Sequence, residues 1–294
     1  MLQALAERFG VLLVITQPDR PAGRGLKLTP PPVKLAAEQL GLPILQPRSI
    51  NNAEAVEALR NLSLDILVTA AFGQLLRPVV LNLPKLGCIN VHASLLPKYR
   101  GAAPIPWAVI HGERETGVTT FLMDEGMDTG PILLQRRTEI GPDETAGELE
   151  ERLAKMGAEL AVETVEKWWR GEIQPRPQPP NGSLAPKIHR EDGRIRWDWD
   201  AQRIHNLVRG LSPRPGAFTT WRGEYVKILR TRVVDPKAKA GEPGCVLPRR
   251  DQLLVAAGTG ILEILEIQPA GCRCLSGRDF LNGYCRGGFR CFDR

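Results

Sequence analysis

The sequence predicts an α/β protein: a Rossmann-like, mainly parallel sheet domain followed by a small basic OB-like β-barrel domain. Three observations carry that prediction. Short apolar runs alternate with helix-like segments as far as Arg170, a pattern that implies βαβ units covered on both faces. A stretch rich in proline, Gly171 to Pro186, then interrupts the chain. Beyond it lie several short strand-like runs, and the positive charge gathers there. Residues 1–186 hold 19 Lys+Arg against 21 Asp+Glu, whereas residues 187–294 hold 20 against 12, so the excess behind the net +6 lies in the last third. A chain of 294 residues is longer than one core normally supports. The predicted division is a sheet domain over 1–174, a Pro-rich linker over 175–190 and a barrel over 191–294.

Taken in order, Val11–Ile15, Ile66–Thr69, Cys88–Val91, Val118–Met123 and Ile132–Leu134 read as buried strands. Between them, Val33–Leu40 places apolar residues at 33, 36, 37 and 40, and Ala53–Leu59 places them at 53, 56 and 59, both on a helical period. Pro104 suits the first turn of a helix over Pro104–Ile110. Thr145-Ala146-Gly147-Glu148 fits a capping box, and the helix it opens runs to about Arg170 with a stripe of Leu149, Leu153, Met156, Leu160 and Val165. It ends in Trp168-Trp169, read as core or interface anchors. In the basic third, Ala201–Arg209 is a short helix. Ala217–Trp221, Tyr225–Val234, Gly244–Leu247, Leu253–Ala257 and Ile261–Ile267 are strands, with hairpin turns at 221–224 and 257–260.

Composition excludes several classes. Hydrophobic residues make up 43% and charged residues 24%, which fits a globular chain. No apolar run reaches the roughly 18–20 residues of a membrane span, and the start lacks the basic-then-apolar order of a signal peptide. The expectation is a cytoplasmic protein (or one of an organellar matrix), a monomer with no membrane partner. Six cysteines are too few for a disulfide scaffold. Cys272, Cys274, Cys285 and Cys291 lack the usual zinc-knuckle spacing, so reduced thiols and no metal are expected. The basic last third points to an anionic partner, nucleic acid first, with a solvated basic face as the alternative.

The most informative stretch is Asn90-Val91-His92-Ala93-Ser94-Leu95-Leu96-Pro97, at the end of an apolar strand. Period two puts Asn90 and His92 on one side, facing the crevice where parallel sheets bind ligands. Asn90 offers a neutral donor to a developing oxyanion, and His92 a titratable imidazole. A second polar cluster, Met123 to Gly130, follows, in which Asp128 can orient the histidine. With no serine or cysteine at a nucleophile position, the set suits direct attack by a substrate amine. On residue types alone, the same side chains also suit a strand cap and a turn start.

The Asn90–Pro97 run, together with Met127-Asp128-Thr129-Gly130, resembles the folate-dependent formyltransferase superfamily. The stretch from Thr16 to Lys34, rich in proline, glycine and basic residues, resembles the branch of that family that formylates methionyl-tRNA. The resemblance runs from about residue 1 to 283. It implies formyl transfer from 10-formyltetrahydrofolate to the α-amino group of initiator methionyl-tRNA, for translation initiation. It further implies Asn90, His92 and Asp128 as the catalytic set, and Ser94, Leu95, Leu96 and Pro97 as the folate-contacting segment. Arg20, Arg24, Lys27 and Lys34 fall in the loop that reaches the tRNA acceptor end, Arg24 leading. The rival expectations are a formyltransferase or folate hydrolase acting on a small amine, or a truncated inactive product.

Two features depart from the family pattern. Members usually begin with a strand and a Gly-Thr-Pro turn, whereas this chain starts inside the helix that follows. The sheet is therefore expected to lack its central strand. The tail from Cys285 to Arg294 does not resemble the family ending and is expected to be a divergent, disordered terminus or a frameshift scar.

Overall fold

The computed structural model describes residues 1–22, 25, 27–249, 251–285 and 291–293. As far as residue 185 the elements are α1 (Leu2–Ala6), β1 (Val14–Ile15), β2 (Arg20–Ala22), β3 (Lys27–Thr29), α2 (Pro32–Gln39), β4 (Ile44–Leu45), α3 (Ala53–Arg60), β5 (Leu67–Thr69), α4 (Pro78–Leu81), β6 (Cys88–His92), α5 (Pro104–Ile110), β7 (Glu115–Leu122), β8 (Ile132–Glu139) and α6 (Ala146–Trp169). Then come a 3-10 turn (Arg190–Gly193), α7 (Ala201–Leu211), β9 (Ala217–Trp221), β10 (Glu224–Asp235), β11 (Val246–Leu247), β12 (Leu253–Ala256), β13 (Ile261–Pro269), β14 (Leu275–Ser276) and α8 (Gly277–Tyr284).

These elements form two units that are discontinuous in sequence. One comprises Met1–Ala102, Gly117–Thr138 and Arg152–Ala185; the other comprises Ala103–Thr116, Glu139–Glu151 and Pro186–Arg294. The division therefore differs from the contiguous one read from composition, because α5 and the segment from Glu139 to Glu151 group with the basic third. The Pro-rich stretch is a strap on the first unit as far as Ala185, not a free spacer. Arg176 exchanges both backbone hydrogen bonds with Ile132, Arg100 N donates to Ser183 O, and Ala185 N donates to Arg100 O. Its non-proline residues keep their N–H groups, and extended backbone presents them to a neighbouring strand.

In the first unit the sheet is in two pieces. β1 pairs in parallel with β4. A second sheet has the order β5-β6-β7-β8, parallel between β5 and β6 and antiparallel between β6 and β7. Among the described residues no ladder joins the two pieces. The three residues of β5 are only half-buried, while Cys88 and Ile89 of β6 are 2% and 0% exposed. A side-chain bond, Gln17 Nε2 to Phe72 O at 2.8 Å, ties the residues that follow β1 to those that follow β5. One core layer holds Ile50, Val56, Leu59, Val80 and Cys88, and another packs Leu5 and the α6 residues Ala161 and Val165 on Ile89 and Leu133. The capping box opens α6 as read: Thr145 and Glu148 exchange side chain-to-backbone bonds. Trp168 anchors in the core and donates to Leu86 O, whereas Trp169 is exposed. Helix α4 and the β2–β3 hairpin were not legible as such, being a single turn and two three-residue strands.

The second unit is a curled antiparallel sheet of order β11-β12-β13-β10-β9, with β14 added beside β13. β10 bends at register shifts around Ile228, Arg230 and Val233, which lets one long strand turn the corner of the curl. Residues 291–293 correct the expectation of a disordered terminus for their part of the tail; residues 286–290 and 294 lie outside the described residues. Asp293 bridges Thr220 of β9, and Cys291 bridges Cys245 beside β11, so residues 291–293 span the two open edges of the sheet. Phe292, 1% exposed, fills the core against Trp197 and Trp221, with centroids at 5.2 and 4.8 Å. Cys245 and Cys291 form a disulfide, a correction to the expectation of reduced thiols throughout. The bridge sets these two side chains opposite each other, which spacing in sequence does not reveal. α7 packs on this sheet, its start capped by Asp200, which accepts from Arg203 N. Gly210 lets α7 meet α5, since a Cβ there would lie 2.6 Å from Ile110 Cγ1.

Candidate active site

β6 delivers the first two site residues. Asn90 lies opposite Thr69 of β5 in the parallel register, and Thr69 Oγ1 donates to Asn90 Oδ1 at 2.8 Å. That bond occupies the amide oxygen and leaves Asn90 Nδ2 as the atom available to a ligand. His92 follows two residues on, 6% exposed. Its Nε2 lies 2.8 Å from the Tyr99 carbonyl, which can only accept, so Nε2 carries a proton and Nδ1 faces the other way. Nδ1 lies 3.6 Å from Asp128 Oδ2.

The loop after β7 presents Asp128. Asp124 Oδ1 accepts from Gly126 N and Thr129 Oγ1, closing a tight polar turn. Gly130 permits the return, because a Cβ there would lie 1.8 Å from Leu122 O. Asp128 itself has φ +56°, in the left-handed region that non-glycine residues seldom occupy. Its Oδ2 accepts from Gly101 N at 2.8 Å, which fixes the carboxylate beside the imidazole. The structure thus brings His92 and Asp128 together and places Asn90 on the same strand face.

The Ser94–Pro97 segment divides. Ser94 is fully buried; its Oγ donates to Lys98 O and its carbonyl accepts from Thr119 Oγ1. Leu96 is also buried, with its N–H on Thr119 Oγ1 and its carbonyl held by Gln135 Nε2. Only Leu95 and Pro97 keep partly exposed side chains. A cavity of about 330 Å³ opens near Cys88, Leu122 and Asp124, at the opposite end of β6 from His92. Burial pushes the Cys88 thiol up to about 12, which makes it inert as a nucleophile.

Of the four basic residues, Arg20 is on β2, exposed and bonded to Gln17 Oε1. Lys27 is on β3 and exposed. Arg24 lies outside the described residues. Lys34 Nζ pairs with Asp19 at 2.8 Å, half-buried. Hydrogen bonds from Gln46 and Lys34 hold the Asp19 carboxyl below its ordinary range. Sequence reasoning missed Thr69, the Tyr99 carbonyl and the Gly101 amide. Thr69 is marked only by being a polar residue at a strand end, and the other two are backbone groups without a side-chain signature.

A Rossmann-like sheet unit on a chain that continues into a curled antiparallel unit is the architecture of formyl transferases. The chain belongs to the formyl transferase family. The family profile "Formyl transferase" matches residues 3–165, and "Formyl transferase, C-terminal domain" matches residues 187–285. Among its relatives, the methionyl-tRNA formyltransferase of Citrifermentans bemidjiense is 49% identical, covering 96% of this chain and 89% of the relative. That of Pelobacter propionicus is 50% identical over 96% and 88%. The fold is also that of an N-formyltransferase from Helicobacter canadensis, solved in complex with folinic acid and dTDP-3-aminofucose; it has a TM-score of 0.67 at 17% identity and covers 91% of this chain and 94% of that one.

Proposed function

We propose that this chain transfers the formyl group of 10-formyltetrahydrofolate to the α-amino group of initiator methionyl-tRNA. The observation that carries this reading is the 49% identity to a methionyl-tRNA formyltransferase across 96% of the chain. In the proposed reaction the neutral amine attacks the formyl carbon, and negative charge develops on the formyl oxygen. Asn90 Nδ2 donates to that oxygen, since Asn90 Oδ1 is already bonded, and His92, held at Nε2 by the Tyr99 carbonyl, turns Nδ1 toward Asp128. Removing one such donor typically costs about 100- to 1000-fold in kcat. Asp128 orients His92 and, through water, passes the amine proton to the folate nitrogen as its bond to the formyl carbon breaks.

Leu95 and Pro97 supply the folate-facing side chains of their segment, while Ser94 and Leu96 hold its backbone in shape. Arg20 and Lys27 on the β2–β3 hairpin, with Arg24 between them in sequence, are the contacts to the acceptor end in this reading, and Lys34 pairs with Asp19 beside that hairpin. Arginines set over aromatic rings supply further phosphate-facing charge in the basic unit, Arg194 over Phe218 at 5.1 Å and Arg203 over Trp199 at 3.7 Å. No helix among the described residues is long and apolar enough to cross a membrane. The test is formylation by the purified chain with methionyl-tRNA, free methionine and an amino sugar nucleotide as acceptors. Transfer to methionyl-tRNA alone supports the reading; transfer only to a small amine refutes it.

A further inference from the structure

We propose that Gln178, in the Pro-rich strap, is a positioning residue for the Asp128–His92 pair. The inference rests on the reading of that pair as catalytic. Gln178 lies 50 residues beyond Asp128 in sequence, yet its side-chain bonds go to the Asp128 loop and to Arg100. Nε2 donates to the Asp128 carbonyl at 2.9 Å and to the Gly130 carbonyl at 2.7 Å. Both amide hydrogens are thereby spent on one short loop. Oε1 accepts from Arg100 Nε at 3.1 Å and Nη2 at 2.8 Å. That pair of donors decides which way the amide faces, because a guanidinium cannot accept.

The loop needs such a hold. Asp128 occupies left-handed backbone, a conformation that side chains disfavour, and its carboxylate, 3.6 Å from His92 Nδ1, would leave ion-pair distance on moving away by an ångström. Arg100 precedes Gly101, whose N–H carries the Asp128 carboxylate. Arg100 N also donates to Ser183 O, and Tyr99 N to Ser183 Oγ; Tyr99 in turn presents the carbonyl that sets the His92 ring. The strap thus grips both partners: the backbone of Asp128 through Gln178, and the segment supporting His92 through Ser183.

The test is a double-mutant cycle on the full chain with single-turnover formylation as readout. Gln178→Met keeps the volume and removes both donors. Gln178→Glu keeps the shape and sets an oxygen against the two carbonyls. The expected result is a fall in kcat of about tenfold for Gln178→Met, and more for Gln178→Glu, with KM for both substrates within twofold and a thermal midpoint lowered by only a few degrees, so that the chain stays folded at the assay temperature. In an Asp128→Ala background, Gln178→Met is expected to change kcat by less than twofold. Equal losses in both backgrounds, or a normal kcat for Gln178→Met and Gln178→Glu, overturn the positioning role while leaving the catalytic pair intact. A normal kcat for Asp128→Ala alone overturns the underlying reading instead, and the positioning role with it.

Discussion

Thr69→Val tests the orientation of Asn90 without touching Asn90. Valine has nearly the shape of threonine and suits a strand, so β5 and its pairing with β6 persist. The substitution deletes the 2.8 Å bond from Thr69 Oγ1 to Asn90 Oδ1. A bond of this kind is worth about 0.5–1.5 kcal/mol net. At about 1.4 kcal/mol per tenfold, the expected fall in kcat is about two- to twelvefold. The upper bound is complete loss of Asn90 as an oxyanion donor, about 2.7–4 kcal/mol. The assay is single-turnover formylation of methionyl-tRNA at saturating folate, with KM measured separately. The expected pattern is a reduced kcat with KM within twofold. A kcat equal to the parent's would refute the argument that Thr69 aims the amide. A loss as large as that of Asn90→Ala would show that Thr69 does more than aim it.

Four further outcomes follow from the packing and the charges. Phe292→Ala opens a cavity in the curled sheet where Phe292 stacks on Trp197, a loss of about 3–5 kcal/mol; a thermal midpoint lowered by less than about 5 °C would contradict the closing role of the tail. Cys88, with its thiol at about 12, is expected to resist iodoacetamide in the native chain at pH 8.5 while exposed Cys272 reacts, and equal labelling of the two contradicts that. Because its folded value is raised, the stability it contributes is full below the unfolded value and lost as pH rises from about 9 through 12; a Cys88→Ala chain should lose that part of the alkaline decline. His205 is the opposite case: burial lowers it below the ordinary value of 6.5, and its neutral form bonds Thr231 Oγ1 and the Pro142 carbonyl. Unfolded chain takes the proton more readily, so stability present above the unfolded value falls as pH drops through that value and below it; the urea midpoint should decline from pH 7.5 to 5.5, and His205→Gln should flatten the decline.

The alternating apolar runs made the sheet unit legible because parallel strands are buried on both faces and read as continuous apolar stretches. Asn90 and His92 were legible for a related reason: two polar residues at period two interrupt the end of such a run. The rest depends on contacts between distant residues. Thr69 meets Asn90 only through the register of a neighbouring strand. Asp128 could be named from its loop, but its left-handed backbone and the Gly101 amide that holds it have no periodic signature. Gln178 sits among prolines that suggest a spacer, and its hydrogen bonds appear only when the strap lies along the unit. Ser94 and Lys34, both expected as ligand contacts, also bond Lys98 O and Asp19, partners that spacing in sequence does not show. Phe292 belongs to a tail that departs from the family ending, yet its ring is buried in the core where residues 291–293 bridge two sheet edges.

The most direct test of the central claim is single-turnover formylation of methionyl-tRNA by the parent chain and by Asn90→Ala, His92→Ala and Asp128→Ala, each checked for folding by circular dichroism. The account predicts transfer by the parent and a fall of at least about 100-fold in each variant at unchanged tRNA affinity. Near-parental turnover in His92→Ala and Asp128→Ala would contradict it.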